Sequence, residues 1–93
     1  MNPKQKYKNQ RAAIKSLLQE YDPLNYLVKY AGERFEKQLY AYEAGTILEK
    51  FRNLSNNSEI EDYLINSSKS KDEVNIEAAK NVSIQIGNVI NGF

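Results

Sequence analysis

The chain contains no cysteine, no histidine and no tryptophan. Without cysteine it has no disulfide framework and no thiolate chemistry. Without histidine it lacks the usual acid–base residue of neutral pH and the commonest zinc ligand. A carboxylate pair or a lysine remains for chemistry, but no nucleophile–base pairing and no Gly-rich phosphate loop frames one. The sequence therefore argues against an enzyme and asks for no cofactor and no metal. No apolar run reaches the ~18 residues that span a bilayer, and no signal-peptide core follows Met1. The expectation is a cytoplasmic protein without a membrane role.

What is present is ordinary for a globular protein: 93 residues, 41% hydrophobic and 27% charged. That length suits one domain, residues 1–93, with one modest core. The net charge of +1 hides an asymmetry. Residues 1–37 hold eight Lys/Arg against four Asp/Glu, and residues 38–93 hold five against eight.

The stretch Pro23 to Leu54 organises the reading. At 100° per residue, Leu24, Leu27, Val28, Ala31, Phe35, Leu39 and Tyr42 share one helical face. From Ala44 onward the apolar residues Ala44, Ile47, Leu48, Phe51 and Leu54 lie on nearly the opposite face, which runs back through Tyr40, Lys37, Glu33, Tyr30 and Tyr26. Either the helix breaks near Tyr42–Gly45, or it stays straight and serves two partners, one of them a second copy of the chain. Gly45 sits where the face changes and favours the break, hence a monomer over a homodimer. Gly32 falls inside the first stripe and only weakens it, by ~1 kcal/mol relative to Ala.

The first helix is expected from Pro3 or Lys4 to about Glu20, with Asn2 as N-cap. Its stripe is Tyr7, Arg11, Ile14, Leu17, Leu18 and Tyr21. Its early charges, Lys4, Lys6, Lys8, Arg11 and Lys15, are all basic. They form a solvated face or, less favoured, a phosphate-binding arm, because the dense Lys/Arg stripe and interleaved aromatics of a strong binder are missing. Pro23 disfavours a helical Asp22, so the first helix ends there and Asp22 caps a second helix that opens at Pro23. Asp22 reads as a cap rather than a catalytic acid.

Residues 54–58 are a loop by composition. Ser58 with Glu61 reads as a capping box for a short helix, Glu59 to about Asn66, that buries Ile60, Tyr63 and Leu64. After a second loop at 67–71, Ser70 with Glu73, or Asp72, caps the last helix. Val74, Ala78, Val82, Ile86, Val89 and Phe93 share its face. A competing strand would alternate Val82, Ile84 and Ile86; the helical stripe accounts for more residues.

Three segments, Leu17-Leu18-Gln19-Glu20-Tyr21-Asp22-Pro23, Tyr42-Glu43-Ala44-Gly45-Thr46-Ile47-Leu48 and Ser58-Glu59-Ile60-Glu61-Asp62-Tyr63-Leu64, carry a partial likeness. Together they resemble a family of small helical proteins of Gram-positive bacteria with a Leu-x-Glu-Trp-Asp-Pro corner. Tyr21 stands where that family has Trp, and the C-terminal part does not match. The resemblance implies an all-α fold with a helix starting near Tyr42, and no site.

The fold expected is all-α, a small irregular antiparallel bundle of four to five helices. The function expected is stoichiometric binding of a partner protein, of the inhibitor, immunity or anti-defence kind. Its candidate contacts are Tyr26, Tyr30, Lys37 and Tyr40, since tyrosines suit interfaces as well as core rims. The alternative is a nucleic-acid-binding accessory protein using Lys4, Lys6, Lys8, Arg11 and Lys15.

Overall fold

A computed structural model describes residues 3–30, 32, 38–51, 57–68 and 74–92. It contains five helices: α1 Pro3–Tyr21, α2 Tyr26–Lys29, α3 Ala41–Phe51, α4 Asn57–Ser67 and α5 Ile76–Gly92. No strand occurs among the described residues, and none of the helices is long and apolar enough to cross a membrane. The chain is an all-α bundle.

Helix α1 lies between α3 and α5, and α4 packs on α5 and more lightly on α3. Ile14 and Leu18 of α1 are fully buried, and Gln10 beside them donates from Nε2 to the Val89 carbonyl of α5 at 3.5 Å. From α3 the core receives Ala44, Ile47, Leu48 and Phe51, and from α4 it receives Ile60 and Leu64. Helix α5 buries Ala78, Ala79, Val82, Ile86 and Ile90. Ile76 and Ile84 stay exposed, which settles residues 82–90 as helix: a strand would have put Ile84 on the same face as Val82 and Ile86.

The helix expected over Pro23–Leu54 is not one helix. Its break falls earlier than Tyr42–Gly45. Helix α2 ends at Lys29, Gly32 takes φ +81°, and Tyr40 takes φ +70° immediately before α3. Gly32 is thus a turn residue that needs its positive φ, not a weak point in a stripe. Gly45 is an interior residue of α3, which runs through it without a break. The first stripe does not survive as one face either. Leu24 and Leu39 are buried, but Val28 is 80% and Tyr42 76% exposed. Ala31, Phe35 and Leu54 lie outside the described residues. The apolar stripe on α3 is buried as the periodicity required.

The corner after α1 also differs in detail. Asp22 has φ +48° and its N–H donates to the Leu18 carbonyl at 2.8 Å, so it closes the C-terminus of α1 in a left-handed turn. Pro23 is buried in that turn and opens no helix. Its carbonyl instead accepts the Asn75 N–H at 2.8 Å, tying the corner to the start of α5. Helix α2 begins three residues after Pro23, behind Asn25 at φ +58°.

Two other caps move. Helix α4 begins at Asn57, so Ser58 lies in its first turn and does not cap it. Helix α5 is capped by Asn75, whose Oδ1 accepts the Ala78 N–H at 3.0 Å. Val74 therefore precedes the helix, although it is buried in the core. The expected caps Asn2, Ser70 and Asp72 lie outside the described residues, as does Phe93.

Candidate functional site

Asp22 and Tyr40 anchor the first of two surface features. The Tyr40 hydroxyl donates to Asp22 Oδ1 at 2.5 Å and accepts the Leu24 N–H at 3.0 Å. Both Asp22 oxygens accept the Leu27 N–H at 3.2 Å, so the carboxylate caps the first turn of α2 from five residues upstream. Tyr40 is 1% exposed. Burial, reinforced by its hydrogen bond to Asp22, pushes its hydroxyl far above the usual tyrosine range. Tyr40 is therefore a core residue. Its proposed place on a partner surface is corrected: its ring is covered, and its polar tip is spent on the corner.

From this anchor tyrosines run outward. Tyr26 stacks on Tyr40 with ring centroids 4.7 Å apart and meets Tyr30 edge-on at 5.7 Å. Its hydroxyl donates to Glu43 Oε2 at 3.4 Å. Burial first, then the Glu43 charge and hydrogen bond, push the Tyr26 hydroxyl up to about 12. Tyr26 and Tyr30 are half-buried. The Lys29 ammonium sits 5.8 Å from the Tyr30 ring centroid, and Val28 stands almost fully in solvent between Leu27 and Lys29. Of the candidate contacts, the structure brings Tyr26 and Tyr30 together at the surface and places Tyr40 beneath them. Lys37 lies outside the described residues. Val28 escaped the sequence reading because its spacing matched the supposed core stripe.

The second feature is a hollow of about 530 Å³ between α1 and the start of α3. Lys8, Arg11 and Lys15 line one wall, with Tyr7, Gln38 and Ala41 around them. A smaller hollow of about 240 Å³ continues from Tyr7 and Arg11 past Tyr42, Gly45 and Glu49. Arg11 spans the joint between the two, donating from Nη2 to the Ala41 carbonyl at 3.2 Å. Of the five basic residues singled out in the sequence, three therefore share one groove. Lys4 and Lys6 are exposed on the first turn of α1 and do not line it. Tyr42, assigned to the core by its spacing, is an exposed aromatic at the groove's end.

A shallower cleft between α3 and α4 holds Lys50 over the Tyr63 ring at 5.6 Å, with Glu59 and Asp62 nearby. Among the described residues no three carboxylates converge closely enough to hold a metal ion.

No family model matches the chain, and no curated protein or solved structure matches it.

Proposed function

We propose that the protein is a cytoplasmic, stoichiometric protein-binding module of the inhibitor, immunity or anti-defence kind, and that it docks through the outer face of α2. The observation that supports this reading is Val28, an apolar side chain 80% exposed on a short helix whose base is locked. A four-residue helix is too short to be stable by itself. Here the Asp22 carboxylate, the Tyr40 hydroxyl and the stacked Tyr26 ring hold it in place. A preordered loop loses little entropy on binding, so the apolar and aromatic area of Val28 and Tyr30 converts more fully into affinity. Tyrosine is among the residues that dominate binding energy when water is excluded around them. The protein acts in this reading by occupying a surface, not by turnover.

The test is a photo-crosslinker at position 28, introduced in the native host, followed by purification under denaturing conditions. One protein crosslinked in a one-to-one complex is expected, and Val28→Asp should abolish that complex at unchanged melting temperature. A complex that survives Val28→Asp but disappears on Lys8→Gln/Lys15→Gln would overturn the assignment of the docking face.

A further inference from the structure

The groove between α1 and α3 lies apart from α2 and is not used by the docking reading. Among the described residues, three cations line its larger hollow, and no acidic side chain lines it with them. Among the described residues, neither Lys8 nor Lys15 has an ion-pair or hydrogen-bond partner. Three like charges along one helix face repel one another and raise the local attraction for anions. Lys8 and Lys15 lie seven residues apart, ~10 Å along the helix axis, with Arg11 between them. At the end of the same groove stands Tyr42, 76% exposed, with no aromatic ring against it among the described contacts. A sparse basic run whose one aromatic, Tyr7, is half-buried is a weak nucleic-acid signal in sequence. The fold adds an exposed aromatic, Tyr42, from a different helix.

We infer that this groove binds nucleotide units through their phosphates at Lys8, Arg11 and Lys15, with a base stacked on Tyr42. Cationic tracks beside exposed aromatic platforms hold single strands in this way, with little preference for base identity. A hollow of about 530 Å³ also falls within the ~300–1,000 Å³ of small-ligand sites, so a free nucleotide offers the same chemistry. Glu49 lines the smaller hollow. Its charge disfavours phosphate at that end and directs phosphate toward α1, leaving the uncharged base beside Tyr42. Arg11 keeps its bond to the Ala41 carbonyl and contributes its remaining charge.

The test uses the purified full chain, so it is independent of any partner protein and of the docking face. Fluorescence anisotropy would be read with a labelled oligothymidylate of ~10 nucleotides, with ATP and inorganic phosphate as competitors. With three phosphates contacted, single-strand affinity should fall roughly 20-fold between ~50 and ~200 mM salt. Lys8→Gln/Lys15→Gln should cut that salt effect to about threefold. Tyr42→Ala should weaken binding at least about fivefold through lost stacking, with no change in the salt slope. Competition by ATP but not by phosphate would assign the site to free nucleotides, which supports the proposal equally. Binding that is insensitive to Tyr42→Ala, or displaced as well by polyglutamate as by polynucleotide, would overturn it, as would the absence of binding at ~50 mM salt. Circular dichroism of each variant checks the fold, and all three substituted residues lie at the surface.

Discussion

The Tyr40 hydroxyl donates to Asp22 Oδ1 at 2.5 Å across 18 residues of chain, and the surface described above is built on that bond. It joins two residues that both carry positive φ, an uncommon conformation for aspartate and a strained one for an aromatic residue. Tyr40 is held there by its ring stack with Tyr26 and by two hydrogen bonds at its hydroxyl. Tyr40→Phe leaves the buried Leu24 N–H without its acceptor and should cost ~1–3 kcal/mol. Asp22→Ala releases both the Tyr40 hydroxyl and the Leu27 N–H and should cost ~2–3 kcal/mol. A double-mutant cycle by denaturant titration should give a coupling of at least ~0.5 kcal/mol. Additive losses would show that the two residues act separately.

The same corner sets an alkaline limit. Both Tyr26 and Tyr40 have hydroxyls raised above their ordinary value in the folded protein, Tyr26 to about 12. Unfolded tyrosines ionise near ~10, so above that pH the unfolded state binds fewer protons than the native one. The stability these two groups contribute is complete below pH ~10 and is lost as pH rises through their folded values. Urea midpoints should be level from pH ~7 to ~9 and fall above ~10. In Tyr40→Phe the fall should be shallower, although the variant starts from a lower midpoint.

The glycines should respond in opposite directions. Gly45 is interior to α3, and an added Cβ would meet side-chain ends alone, Arg11 Nε at 3.3 Å and the Tyr7 hydroxyl at 3.9 Å, of which the Arg11 end must give slightly. Gly45→Ala should therefore stabilise by up to ~1 kcal/mol through helix propensity. Gly32 has open space around it but φ +81°, so Gly32→Ala should destabilise by ~1 kcal/mol through backbone strain alone. Differential scanning calorimetry resolves both, since ~1 kcal/mol moves the melting temperature of a domain this size by ~4–8 °C.

Helix α5 depends on one side chain for its start. Asn75→Ala removes the acceptor for the Ala78 N–H and should cost ~1 kcal/mol, while Asn75→Asp should cost little. Equal losses in the two variants would mean that the Asn75 amide group matters for something other than capping.

A monomer is the expectation set by where the α3 stripe goes. Ile47, Leu48 and Phe51 are covered within one chain, at 0%, 1% and 8% exposure. No second copy is needed to bury them, and light scattering at micromolar concentration should report a monomer. A stable dimer that dissociates on Val28→Asp would place self-association on the α2 face.

Much of this architecture was legible in the residues. Periodicity located α1, the buried face of α3, and α5, because long amphipathic segments bury one stripe each. Pro23 marked the end of α1. What could not be read was the local chemistry between Asp22 and Tyr40. Left-handed Asp22, Asn25 and Tyr40 break a stripe that simple periodicity joins. Leu24 and Val28 occupy equivalent helical positions in sequence, yet one is buried and the other exposed. The turn after Asp22 places Leu24 against the core before α2 has begun. The groove was half visible. Lys8, Arg11 and Lys15 share a helix face by spacing alone, whereas the approach of Tyr42 depends on how α3 packs on α1.

Hydrogen–deuterium exchange on the free protein and on the complex captured through position 28 tests the proposed docking face most directly. Added protection is expected at the backbone amides of residues 26–30, with α1 exchanging as in the free protein. Protection confined to residues 7–15 and the start of α3, with α2 unchanged, would contradict it.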